Sequence, residues 1–274
     1  MGTLKFIFNF YLNASIHVSL AVVSLAAITF DLLAISWNFF LLGFVFFASV
    51  VCYNFVKYGV EAHKYLIVSN AYHRAIQVFS FLSFGFAIYF LWYLSPKIWV
   101  AVFVLGILST LYAVPMLPNL KNLRSLGGFK IYIVALVWVG FTALLPILDA
   151  NVLPTWDLGM LCLQRFILVL ILILPFEIRD MHRDDKALKT LPQVIGPKKT
   201  QKLGLVLIGI FFLLTFFKDV VDGKEVLLRS VLVLFLVLIF LFDQRRQSNY
   251  FASFWVEGIP IFWLVLFRFV NEFF

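Results

Sequence analysis

The sequence predicts an all-α polytopic membrane protein, a single transmembrane domain over residues 1–274 with about nine transmembrane helices, and three observations carry that expectation. The composition is 63% hydrophobic and 13% charged, against about 45–50% and about 25% in soluble domains. The mean hydropathy is +1.01. The apolar residues also fall into runs near the roughly 20 residues that a helix needs to cross a bilayer core. The 34 Phe and 7 Trp suit lipid-facing surfaces and interfacial belts.

In chain order the expected spans are Ala14–Ile35, Phe39–Tyr58, Ile76–Leu94, Ile98–Val114, Ile131–Leu148, Met160–Phe176, Leu203–Phe217, Val226–Phe242 and Phe254–Val270. The N-terminal stretch after Lys5 is too long for a signal peptide and more spans follow, so it reads as the first helix. Lys and Arg concentrate after spans two, four, six and eight, with Lys5 at the N-terminus. Cytoplasmic connections carry such an excess, so the N-terminus is expected in the cytoplasm and the C-terminus outside. The two long connections, Tyr58 to Ala75 and Glu177 to Lys202, then share the cytosolic side. The net charge of +8 is explained by this topology, and no nucleic-acid partner is expected. Cys52 and Cys162 lie in apolar runs near opposite membrane surfaces and are not expected to pair.

Span six leads directly into LPFEIRDMHRDDKALKTLPQVIG, from Leu174 to Gly196. Ionisable groups where a span emerges from the membrane mark a functional-site hypothesis. If the helix continues through them, Glu177, Asp180 and Asp184 fall at i, i+3 and i+7, within a fan of about 60°. Crowded carboxylates repel unless a cation lies among them, and Mg²⁺ prefers carboxylate oxygen, water and phosphate. The bland alternative is a solvated helix end, with Asp180 paired to Arg183 or Asp184 to Lys186. Asn54, Lys57 and Glu61 repeat the same spacing after span two. His63, His73 and His182 lie in the loops with no partner at zinc spacing. Asp31 is expected to be wet, and Pro146 and Pro175 to stand at span ends.

The run from Glu177 to Gly196 resembles the second aspartate-rich motif of the UbiA-type membrane prenyltransferases, Asp-x-x-x-Asp, a cytosolic loop, then Thr-Leu-Pro and Gly. Here these are Asp180, Asp184, Thr190-Leu191-Pro192 and Gly196. The family's Gly in that loop is missing, and Leu188 and Lys189 stand in a loop one residue shorter. The first motif, Asn-Asp-x-x-Asp-x-x-x-Asp, matches only at Asn54. Phe55, Tyr58 and Ala62 replace its acids, and Glu61 lies one position off. Tyr112 and Pro115, followed by Lys121 and Arg124, resemble a family cluster on the diphosphate and acceptor side. In all, the resemblance spans Phe47 to Leu203.

What the resemblance implies is a UbiA-like bundle in a bacterial cytoplasmic membrane that moves a prenyl group from an isoprenoid diphosphate to an aromatic or lipid acceptor. Asp180 and Asp184 are the expected catalytic residues, and Glu177, Asp180 and Asp184 the expected Mg²⁺ ligands. Asn54, Lys57, Tyr112, Lys121 and Arg124 are the expected substrate-binding residues. Because the first-motif acids are gone, a single Mg²⁺ or none is expected, and Lys57 is expected to stand in for a metal among the acids of span six. The alternatives are a non-catalytic binder of an isoprenoid or quinone-like lipid, or a partner-supporting protein, and a small lipid transporter. Against the transporter, the span midplanes are almost wholly apolar.

Overall fold

The structure is a computed structural model and describes residues 2–59, 70–113, 127–185, 188–242, 248 and 250–273. Every regular element among these is helical. In chain order they are α1 (Thr3–Asn13), α2 (Ile16–Leu32), α3 (Phe39–Asn54), α4 (Ala71–Trp92) and α5 (Pro96–Ala113). Next come α6 (Lys130–Asp149) and α7 (Trp156–Asp180), and the short α8 (Leu191–Ile195). Last are α9 (Pro197–Leu213), α10 (Gly223–Leu241) and α11 (Ile259–Phe273). Among the described residues seven helices are long and apolar enough to cross a membrane, or eight if α1 and α2, bent by 52° against each other, count as one span. The count of nine is not confirmed, although a helix stands at each expected span; α10, the eighth of them, carries Lys224, Glu225 and Arg229 in its first two turns.

Helix starts follow local chemistry. The Asn38 side chain accepts from Phe40 N and Leu41 N at 3.0 and 3.2 Å, satisfying amides that a helix start leaves unpaired. Its amide also donates to both Asp149 carboxylate oxygens at 2.9 and 3.0 Å, fastening α3 to the end of α6. Thr155 caps α7 and Asp222 caps α10 in the same manner.

The core is the zone where α2 and α7 meet their neighbours. α2 and α7 are the most enclosed helices, and large hydrophobics such as Phe81, Phe84, Phe86, Trp92 and Phe103 on α4 and α5 are exposed. That distribution fits helices whose outer faces meet lipid. One stretch of irregular backbone in the bundle is bonded by side chains from neighbouring helices. A π-helical turn, Gly140–Leu144, interrupts α6, and the carbonyl of Thr142 within it accepts from Thr29 Oγ1 at 2.6 Å and from Arg165 Nη1 at 3.3 Å. Arg165, buried in α7, further donates to Leu25 O at 2.7 Å and Thr29 Oγ1 at 3.2 Å. In a medium without water such groups must be satisfied internally.

Close approach is enforced at Gly204 on α9, where a Cβ would run into the Phe240 ring of α10. Phe240 is itself buried. Gly204→Val is therefore expected to destabilise the protein by about 1–3 kcal/mol through overpacking, which thermal unfolding in detergent would register.

Three local expectations change. Asp31 is not wet: its Oδ1 accepts from Trp37 Nε1 at 2.9 Å and pairs with Arg268 at 2.8 Å, with the guanidinium 3.9 Å over the Trp37 ring. Pro175 does not end its span, because α7 continues to Asp180 around it. Pro146 lies in the segment after the π turn, inside the α6 span. Cys52 and Cys162 are both free, as expected.

Candidate active site

At the C-terminal end of α7 a cavity of about 220 Å³ is lined by Lys130, Glu177, Asp180, Asp184 and Glu257 on its polar side. A second, almost wholly apolar cavity of about 110 Å³ reaches inward along α3 and α6. The two share Tyr53, Tyr112, Val134 and Trp138 in their walls, so a charged end adjoins an apolar one at an aromatic waist. Trp138 Nε1 donates to the Tyr53 hydroxyl oxygen at 2.6 Å, fixing one side of that waist.

The three acids of the span-six motif come together, though not along one continuous helix. α7 ends at Asp180, and a turn closed by Asp184 N donating to Asp180 O at 2.8 Å swings Asp184 back. Gln193 holds that turn: its Nε2 donates to Met181 O and Asp184 O, each at 3.2 Å, while its Oε1 accepts from Thr190 N at 2.9 Å. Thr190-Leu191-Pro192 thus leads directly into the residue that braces the acidic turn, Gln193. Gly196 follows at φ +84°, a conformation that glycine adopts freely, and Pro197 starts α9 directly after it.

Each motif acid is already matched to a cation. Lys130 Nζ lies 2.9 Å from Glu177 Oε1 and 2.8 Å from Asp184 Oδ2, bridging them from the start of α6. Arg179 forks onto Asp180, Nε to Oδ1 at 2.8 Å and Nη2 to Oδ2 at 2.9 Å. Asp180 is thus not held by Arg183, as at a solvated helix end, and Lys186, the local partner considered for Asp184, lies outside the described residues. Lys130, which the sequence offered only as a topology residue, holds the place expected of Lys57. Lys57 Nζ instead donates to Ser15 Oγ at 3.0 Å and Leu12 O at 3.4 Å, at the corner between α1 and α2. Lys57 therefore does not lie among the acids of span six.

Of the other expected binding residues, Tyr112 lines both cavities. Asn54 is fully buried away from the cavity walls, its Nδ2 donating to Ser80 Oγ at 2.8 Å and Ala14 O at 3.2 Å, which joins α3 to α4 and to the corner between α1 and α2. Lys121, Arg124, Glu61 and His63 lie outside the described residues.

The residue that sequence reasoning missed is Glu257. It sits on the cavity wall at the end of a π-helical stretch, Phe251–Val256, with its own N–H on Ala252 O at 3.1 Å. The one acid inside the expected span Phe254–Val270 was the available signal.

Mg²⁺ is the ion that an acidic site of this kind implies, and the arrangement does not fit it. Two of the three carboxylates share one ammonium and the third holds a guanidinium. Among the described residues no three His, Cys, Asp or Glu side chains form a metal-binding group.

No family model matches the sequence, and no curated protein matches it. Two solved structures do match in fold. One is a UbiA homologue from Archaeoglobus fulgidus bound to DMAPP and Mg²⁺, 13% identical, with a TM-score of 0.66 over 97% of this chain and 99% of that one. The other is a UbiA homologue from the same organism bound to GPP and Mg²⁺, 12% identical, with a TM-score of 0.66 over 96% of this chain and 99% of the other.

Proposed function

We propose, for a chain that has the UbiA-type fold, that it binds an isoprenoid diphosphate and transfers the prenyl group to a lipophilic acceptor. The observation that carries this is the pair of adjoining cavities, one charged and one apolar, meeting at Tyr53, Tyr112 and Trp138. An allylic diphosphate has the same two parts. Its hydrocarbon chain would lie between α3, α5 and α6, and its diphosphate at the end of α7, beside Lys130 and Arg179. Cationic side chains aimed at a leaving group stabilise the charge that builds on it as the C–O bond breaks. Asp180 and Asp184 hold those cations in place in this proposal, and Glu177 shares Lys130 with Asp184.

The protein is an integral membrane protein by its apolar helices and its fold. We place the charged end on the cytosolic side of a bacterial inner membrane, because the connections nearest that end carry most of the Lys and Arg.

A second function, binding an isoprenoid or quinone-like lipid without ionising it, is favoured by one observation. Lys130 neutralises two acids and Arg179 a third, and the first-motif acids are absent from the sequence.

One experiment separates the two: geranyl diphosphate binding to the detergent-purified protein, with and without Mg²⁺, for the native chain and for Asp180→Asn with Asp184→Asn. We expect the native protein to bind and the double variant to lose at least tenfold in affinity, about 1.4 kcal/mol. Binding of the uncharged alcohol geraniol as tightly as the diphosphate would favour the non-catalytic function. No binding of either would overturn both.

A further inference from the structure

An ionisable group on the wall of a membrane-embedded cavity is costly unless it is paired. Three of the four acids on this wall are paired, and Glu257 is the exception. Among the described residues its carboxylate makes no hydrogen bond and no ion pair. The charged and polar groups in its field come from several elements: Tyr11 on α1, Tyr53 and Lys57 at the end of the second span, and Arg179 on α7.

The backbone that presents Glu257 is specifically held. Phe254 O, in the π-helical stretch, accepts from His17 Nε2 at 2.9 Å. A carbonyl can only accept, so Nε2 carries the ring proton and Nδ1 accepts from the Tyr11 hydroxyl at 2.6 Å. Gly258 follows at once, and a Cβ there would meet Phe254 O at 2.7 Å. A span from the other end of the chain is thus π-helical at its start, held by α1 and α2, and presents to the cavity a carboxylate unpaired among the described residues. Next to it the Tyr53 hydroxyl accepts from Trp138 and keeps its own proton for a ligand.

We infer that Glu257 is a catalytic residue that takes the proton of the acceptor, and that the acceptor is a lipid bearing an O–H or N–H. The inference rests on the transferase function proposed above. In the step, the C–O bond between the prenyl C1 and the diphosphate breaks, and the leaving diphosphate keeps the electron pair. The acceptor oxygen or nitrogen forms the new bond to C1, and its proton passes to the Glu257 carboxylate. Tyr53 donates to the acceptor and orients it. Nothing is oxidised or reduced.

The test uses the full chain in nanodiscs supplemented with a lipid extract of the host membrane, and radiolabelled geranyl diphosphate as the probe. Binding of the probe and transfer of label into lipid are read separately for the native protein, Glu257→Gln and Glu257→Asp. With a general base removed, transfer by Glu257→Gln is expected to fall by about 10²-fold while probe binding stays within about 2-fold. Glu257→Asp keeps the carboxylate and is expected to recover part of the rate. Native-like transfer by Glu257→Gln would overturn the inference, as would parallel loss of binding and transfer in both variants. A native protein that binds the probe but labels no lipid would also overturn it while leaving the diphosphate site standing. A native protein that does not bind the probe would remove the proposed function itself.

Discussion

Glu225→Gln is expected to destabilise the bundle by about 3–5 kcal/mol, the cost of leaving buried charge without its partner. Glu225, in the first turn of α10, pairs with Lys218 at 2.6 Å and with Arg229 one turn further on. All three are nearly enclosed, with side-chain exposures of 10%, 8% and 2%. Gln164 of α7 and Thr215 complete the cluster, the Thr hydroxyl accepting from Gln164 Nε2 at 3.3 Å. Removing the one anion strands two cations at the end of the bundle opposite the cavity, where the apolar surroundings give them little water. Thermal unfolding in detergent measures the loss. Adding Arg229→Leu to Glu225→Gln removes one stranded cation and is expected to restore part of the stability. A melting temperature unchanged by Glu225→Gln would mean that the cluster is solvated.

Lys130→Met is expected to act at the other end with two readouts. Glu177 and Asp184 would be left facing each other without the ammonium that now lies within 2.9 Å of both. Asp184 is 23% exposed, so the loss falls toward the low end for a buried pair, on the order of 3 kcal/mol. The same change makes room for a hard cation between two carboxylates. Mg²⁺ is therefore expected to raise the melting temperature of Lys130→Met, with about 2.7 kcal/mol regained at a hundredfold excess over its dissociation constant. The native protein is expected to show no such gain. Equal stabilisation of both proteins by Mg²⁺ would show that Lys130 does not occupy a cation's place.

The site was partly legible in the chain. Glu177, Asp180 and Asp184 were found because acids following an apolar run stand out, and because the Thr-Leu-Pro and Gly that follow have a recognisable order. Their partners were not legible. Lys57 closes the second span and Lys130 stands just before the fifth, and periodicity along one helix cannot say which of them reaches across to α7. The continuous helix through Asp184 also failed, since the brace that bends the chain there is Gln193, nine residues away in sequence. Glu257 was passed over because a single acid in the last span has no local pattern to mark it.

What the sequence determined by itself is everything that depends on transfer from water to lipid: the helical class, the placement of most spans, and the acidic end of α7. Those follow from the residue types in one short window, because a bilayer forces each span to satisfy its own backbone. The tertiary structure alone decided which charges meet. Lys130 bridging two acids, the buried Glu225 cluster, and a carboxylate from residue 257 aimed at a cavity built largely by α3, α6 and α7 all join residues far apart in the chain. In a medium of low dielectric such pairings dominate the local energetics, and only the packing of the helices sets them.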